Sequence, residues 1–442
     1  MTEFSIDFWT VVIGILCNLS CALLGCYLVL RRMSLLGDAI SHAVLPGIVI
    51  AFVLFQSRAS VPMFFGAMGV GVLTAFLTQT VHHFARVSQD TSMGVVFTTL
   101  FALGVVLLKV IPGMDNVHFD VDCVFAGNIE YEALHRVDVA GFLVPRTVLI
   151  LGIVLVVNLA FMTLLWKELK LAMFDPSLSS SLGFSAGLIF YLLMAMVAGT
   201  TVATFWAVGS ILVVAMLIVP GATAQLLTDR FGRMMIIAAM VGVVSSIGGY
   251  YFAERWDTST AGMMAVVAGL QYGLALFFAP QYGIVSRWAC HLNLAMRISR
   301  EDILAAVYRW EEQSSGKAMP FSEVRKVAGG KLAYRAGVWF LKQRRHIVLL
   351  REGLHLSEPG KVLAASLIRS HRLWESYLAE HIGLPSDHLH EPAMRMEHFV
   401  TPEIEKELIR GLMNPKMDPH GRPIPEQTRS EKKPPNKSVE KS

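Results

Sequence analysis

Apolar residues fill the first two-thirds of the chain in long runs broken by short polar clusters, whereas beyond about residue 288 they recur at the spacing of amphipathic, soluble-type helices. A helix that crosses a bilayer needs about 20 mostly apolar residues. Nine segments meet that length: 8–30, 39–55, 61–81, 92–112, 147–166, 187–206, 207–226, 234–253 and 261–279, the sixth and seventh nearly continuous. Past residue 288, helical patterns at 301–313, 321–328, 332–345 and 360–381 surround one extended stretch, HIVLLREGLHL (346–356), whose form is that of a hairpin. Helices followed by a small β wing suggest a winged helix-turn-helix. The predicted architecture is therefore an all-α polytopic membrane protein with about nine transmembrane helices, followed by a C-terminal cytoplasmic winged-helix and helical region. Its boundaries are 1–287 for the membrane domain, 288–358 for the winged helix, 359–426 for a helical domain and 427–442 for a tail. The tail has too little apolar content to fold and is expected to be disordered.

Composition agrees with lipid as the main solvent. Of 442 residues, 54% are hydrophobic and 16% charged, against roughly 25% charged in soluble domains, and mean hydropathy is +0.52. The net charge of +4 says nothing about nucleic acid, because charges are sparse before Arg287 and dense after it. Cys17, Cys21, Cys26, Cys123 and Cys290 show neither metal-ligand spacing nor a pairing scheme and read as buried apolar filler. The start of the chain lacks a basic segment, so a cleavable signal peptide is not expected. With the N-terminus outside, the inner connections carry Arg31 and Arg32, then His82, His83 and Arg86, then Lys167 and Lys170, then Arg230 and Arg233, then Arg287. Apart from Lys109, Arg136 and Arg146, basic residues thus collect on one side, as orientation in membranes requires, and an odd number of spans leaves the C-terminal part in the cytoplasm. The long outer connection is acidic, and His118, Asp120 and Asp122 in it could attract cations or simply be solvated.

Two groups of residues carry candidate chemistry. Asp38 and His42 lie four apart, on one face of a helix. A carboxylate with an imidazole suits a borderline divalent ion, and ionisable groups inside a membrane mark pathways. The alternative places Asp38 as a helix N-cap and His42 satisfied within the bundle. In the C-terminal part, His371 and Glu375 are four apart, and His390, Met394, Glu397 and His398 step by four, three and one. Two converging helical faces could build a metal site, or the residues could form a solvated charged surface. KLAYRAGVWFLKQRR (331–345) is basic enough for phosphate contacts through Arg335, Lys342, Arg344 and Arg345, although winged helices also bind proteins. No phosphate-binding loop of the form G-x-x-x-x-G-K-[ST] occurs, so no nucleotide is expected on this chain.

MSLLGDAISHAVLPG (33–47), DTSMGVVFTTLFALG (90–104), FAGNI (125–129) and AVGSILVVAMLIVPGATA (207–224) resemble the zinc/manganese/iron ABC-transporter permease family over residues 8–280. That resemblance implies a bacterial inner-membrane importer subunit in which Asp38 and His42 lie in the transport site. It also implies a cytoplasmic coupling helix, matched by FDPSLSSSLGF (174–184), that docks on a separate ABC ATPase through Asp175, Pro176, Leu178 and Leu182. Asp175-Pro176 independently reads as a helix start. Further partners so implied are an extracytoplasmic metal-binding protein and a second or sister permease, in addition to membrane lipid.

LSEPG (356–360), SHRLWESYL (370–378), RMEH (395–398) and PHGRPIP (419–425) resemble the iron-dependent repressor family over about 300–425. The resemblance makes 359–426 a metal-binding and dimerisation domain. By motif, His371, Glu375 and His390 match one metal site, while Met394, Glu397 and His398, with Asp302 from the first helix, match another. Met394 stands where iron-type members carry cysteine and manganese-type members glutamate, and Ala305 replaces a second first-helix carboxylate. The combined expectation is the permease of an ATP-driven manganese, zinc or iron importer, with the metal also a regulatory ligand. Its rivals are a membrane-anchored metal-dependent transcription regulator, with nucleic acid as partner, and a secondary transporter.

Overall fold

The computed structural model describes residues 3–33, 35–55, 60–110, 129–139, 142–328 and 330–426. The chain divides into two compact units, Met1–Ser286 and Arg287–Ser442. His118, Asp120, Asp122, Cys123 and the tail after Glu426 lie outside the described residues.

Among the described residues of the first unit, nine helices are long and apolar enough to cross a membrane. They are α1 (Glu3–Leu30), α2 (Leu36–Phe55), α3 (Ser60–Ala85), α4 (Gln89–Val110), α6 (Arg146–Leu164), α9 (Ala186–Val208), α10 (Ser210–Leu227), α11 (Phe231–Trp256) and α12 (Thr260–Phe278). Short α7 (Trp166–Phe174) and α8 (Pro176–Ser181) fill the connection between α6 and α9, and α5 (Ile129–Glu132) precedes a hairpin of β1 (Arg136–Val139) and β2 (Phe142–Pro145). The nearly continuous apolar run at 187–226 is split by Gly209, whose φ of 79° and ψ of 167° suit glycine alone.

Helix α1 is central, packing on α6, α9, α10 and α11, while α2 packs on α3 and α4. Lipid offers no hydrophobic drive for helices to associate, so close backbone approach and interhelical hydrogen bonds do the work. At Gly25 a Cβ would come within 1.8 Å of the Leu217 carbonyl oxygen on α10. Asn18 donates to Ser246 at 2.8 Å, Asn158 to Thr200 at 2.9 Å and Gln271 to Ser245 at 2.8 Å. Cys17, Cys21 and Cys26 are buried in α1.

The second unit opens on α13 (Ile284–Gln313), which starts well before the expected residue 301. Its first half carries Trp288 and Leu292 exposed, in register with Ile303 and Val307, which are buried in the second half. Cys290 is exposed here as a free thiol, which corrects the reading of every cysteine as buried filler: residues 287–295 of this helix are exposed throughout. After α14 (Phe321–Val327) and α15 (Lys331–Gln343), strands β3 (Ile347–Leu350) and β4 (Gly353–Leu356) pair antiparallel as a wing. The winged-helix core is Ile303, Leu304, Val307, Val324, Leu341, Ile347, Leu354 and Ala364. Ala364 belongs to α16 (Glu358–Tyr377), which also supplies Leu373 to a separate core with Leu408 and Leu412 of the C-terminal α18 (Pro402–Gly411) region. Between them lie a π-helical turn (Leu378–Ile382), α17 (His390–Met396) and a 3₁₀ turn (Glu397–Phe399).

Candidate metal sites

In the membrane unit, Asp38 occupies the first turn of α2 and is not its N-cap. Its Oδ1 lies 3.3 Å from His42 Nε2, and both side chains are partly accessible, at 39% and 30%. Around them the helix is buried: Ala39, Ile40, Ser41 and Ala43 pack inward. The rings of Phe97 and Phe101 on α4 flank the imidazole, with centroids 5.9 and 6.2 Å away. A carboxylate and an imidazole therefore share one partly open wall in an apolar setting, supplying two of the four to six ligands a divalent ion takes.

At the connection after α7, Asp175 caps α8, accepting from Leu178 N at 2.9 Å and from the Ser177 hydroxyl at 2.6 Å. These bonds hold its carboxyl below the usual range. Pro176 occupies the first helical position, where its missing N–H is no loss. The short helix leaves Leu178 and Leu182 exposed, at 46% and 60%.

The second unit brings six side chains from four elements into two adjoining clusters: His371, Glu375 and His390, then Asp302, Glu397 and His398. In the first, His371 Nε2, Glu375 Oε1 and His390 Nδ1 stand 3.0, 3.0 and 3.1 Å apart pairwise. Both ring nitrogens can donate to Glu375 Oε1, but they then face each other as donors at 3.0 Å. A divalent ion about 2.1 Å from each would satisfy all three atoms, since ligand atoms at right angles around it sit about 3.0 Å apart. The other nitrogen of His371, Nδ1, lies 2.6 Å from Glu397 Oε2, an ion-pair distance without the geometry of a hydrogen bond. Burial pushes Glu375 up, but its bonds to the two histidines outweigh this and hold it well below the carboxylate range.

In the second cluster His398 Nε2 is 3.1 Å from Asp302 Oδ1 and 3.9 Å from Glu397 Oε1. Its Nδ1 meets Glu301 Oε2 at 2.9 Å. Burial lowers the His398 pKa, yet Asp302 and Glu301 together hold it up at about 9. Glu397, 3% exposed, thus has one oxygen toward each cluster, with Arg309 3.5 Å from Oε2. His390 is exposed, and Met394, on the same short helix, is 41% exposed. Glu301 and Arg309 were missed in the sequence. The adjacent acids Glu301 and Asp302, with Arg297 four residues before, were the available signal for the first. Arg335, Lys342, Arg344 and Arg345 are exposed, Arg344 with its guanidinium 5.2 Å from the Phe340 ring centroid.

Comparison with known proteins accounts for both units. The model of the ABC 3 transport family matches residues 3–279. The chain belongs to that family. A second model, described as iron dependent repressor, metal binding and dimerisation domain, matches residues 357–426. Among relatives of this ABC 3 permease, the manganese transport system membrane protein MntD of Bacillus subtilis is 44% identical over 291 residues, covering 66% of this chain and 98% of the relative. The zinc transport system membrane protein TroD of Treponema pallidum is 39% identical over 67% of this chain and 80% of its own length. The solved structure of PsaBC from Streptococcus pneumoniae in complex with Fab is similar at a TM-score of 0.52 and 27% identity, over 63% of this chain and 94% of the other. The protein is thus a multi-pass membrane member of a transport family that carries a repressor-type metal-binding domain at its C-terminal end.

Proposed function

We propose that this chain is the permease subunit of an ATP-driven importer of a divalent transition metal, manganese first and zinc or iron next, regulated by the metal it imports. The observation that carries the reading is the Asp38–His42 pair, 3.3 Å apart on one face of a membrane-spanning helix, in a chain whose relatives are named as manganese and zinc transport proteins. Asp38 and His42 ligate the passing ion, and a second permease copy or a sister subunit supplies the remaining ligands. ATP hydrolysis belongs to a separate ABC ATPase, which grips α8 through Asp175, Pro176, Leu178 and Leu182. An extracytoplasmic metal-binding protein delivers the ion to the outer mouth. The N-terminus lies outside the bacterial inner membrane and the second unit in the cytoplasm, supported by the basic residues collected on the inner connections.

The regulatory ion is held by His371, Glu375 and His390, and a further one by Asp302, Glu397 and His398. Bound there, the metal supplies a charged centre that ties α13, α16 and α17 together. An ion that binds this ordered arrangement better than a loose one shifts the population toward it, and so couples metal level to transport. Uptake of radioactive manganese tests both parts. Asp38→Ala with His42→Ala should abolish uptake while leaving membrane insertion intact; near-normal uptake would sink the transport role. Glu397→Ala with His398→Ala should alter the response of uptake to internal metal. A response identical to that of the intact chain and of a chain ending near Arg287 would show that the second unit does not regulate.

A further inference from the structure

The outward face of the winged helix carries a chemistry that reading DNA does not require. On α15, Arg335, Trp339, Lys342 and Gln343 are all exposed and fall within about 100° of helical circumference. Trp339 is 63% exposed in the middle of that face. Arg344 and Arg345 extend the basic surface past the helix end. Among the described residues, Arg335, Lys342, Arg344 and Arg345 have no carboxylate within ion-pair distance. Beside them the wing presents three consecutive apolar side chains to solvent: Val348 at 45%, Leu349 at 38% and Leu350 at 48%. A run of that kind is unfavourable in water unless something covers it.

We propose that this face docks on the anionic phospholipid headgroups of the membrane in which the chain is embedded. Arg335, Lys342, Arg344 and Arg345 meet lipid phosphates, while Trp339 and the wing residues enter the interfacial layer, where an indole sits with its ring apolar and its N–H wet. Duplex DNA fits less well. A major-groove helix reads base edges through Arg, Lys, Asn and Gln, and Arg335, Lys342 and Gln343 suit either partner. Trp339 in the middle of the face, however, offers one N–H and much bulk, and Val348 to Leu350 offer a phosphate nothing. The tether adds to the argument. The last span ends at Phe278 and the second unit begins at Arg287, so a surface contact of low intrinsic affinity acts at the high effective concentration of a short linkage. The inference needs the first unit to span a bilayer but does not need the chain to carry metal, so the two can fail separately.

Hydrogen exchange on the full chain in nanodiscs tests it. Discs of phosphatidylcholine alone are compared with discs containing phosphatidylglycerol, with and without a mixed-sequence DNA duplex. Peptides covering 331–352 should exchange at least 5-fold more slowly in the anionic discs at low salt. That protection should vanish at 0.5 M salt and in an Arg335→Glu, Lys342→Glu variant, and shrink in Trp339→Ala. Normal exchange of the buried Ile303 to Val307 turn in each variant certifies that the domain is folded. Equal exchange in both kinds of disc, or protection that appears only on adding duplex, would overturn the assignment, the second result giving the face to nucleic acid.

Discussion

Replacing Glu397 by glutamine keeps the shape of a buried side chain but removes the charge that faces both clusters. Oε2 sits 2.6 Å from His371 Nδ1, so the carboxylate's charge acts on the imidazole that ligates through its other nitrogen, and a small turn of either side chain would make the contact an orienting hydrogen bond. Oε1 points to His398 Nε2 at 3.9 Å, close enough for one ion to be held by both. Loss of an orienting carboxylate lowers metal affinity by about 10- to 100-fold, or roughly 1.4–2.8 kcal/mol. At the second cluster the same change removes a direct ligand, and the expected loss is at least as large. Glu397→Gln should therefore weaken both sites, whereas His390→Ala should weaken only the first and Asp302→Ala only the second. Calorimetric titration of the purified full chain with Mn²⁺ and Zn²⁺ measures stoichiometry and affinity together. Binding by Glu397→Gln with the stoichiometry and affinities of the unaltered protein would refute the shared-carboxylate reasoning.

Further expectations concern assembly, pH and packing. Changing Leu178 and Leu182 to Asp touches two exposed side chains, so insertion should persist while co-purification with the ATPase and transport-coupled hydrolysis fall; unchanged coupling would move the docking site elsewhere. For pH, His398 is held at about 9 from an ordinary 6.5, so in the metal-free protein its contribution of about 3 kcal/mol is complete below pH 6.5 and lost as pH rises through 9. Glu375 is held below its ordinary 4.5, and its contribution is present above pH 4.5 and lost in acid. With chelator present, unfolding of the second unit should therefore need most heat near pH 5–6.5 and less at pH 9; a higher midpoint at pH 9 would contradict the assigned ion pairs. In the membrane, Gly25→Ala forces α1 and α10 apart at the Leu217 carbonyl and should cost about 1–3 kcal/mol. Gly152→Ala, which meets nothing within 4 Å, is the control, and thermal aggregation in detergent should separate the two.

The membrane helices are legible in the chain because hydrocarbon thickness sets a length and lipid tolerates few charges, so a run of apolar residues is nearly sufficient to specify each span. The start of α8 is legible for a similarly local reason, since Asp175 and Pro176 act on their own backbone. The division of the 187–226 run into two spans is legible from its length, with the boundary expected at 206/207, but the exact break is fixed by the positive-φ backbone at Gly209. Helix α13 reaches back to Ile284 because a helix once formed propagates cheaply through residues of mixed polarity. The metal clusters lie at the other extreme. Spacing places His371 with Glu375 and Glu397 with His398, but which histidine meets which carboxylate depends on the crossing of α13, α16 and α17. That crossing is set by buried apolar side chains, Ile303 and Ala364 in the core shared by α13 and α16 and Leu378, Leu389 and Ala393 around α17. Glu301 orients His398 only because packing brings residues 97 positions apart to 2.9 Å, and Glu397 faces both clusters because its turn packs against His371 of α16. Local rules determine a helix; long-range packing determines a coordination sphere, because its ligands are contributed by elements that owe their own existence to different stretches of chain.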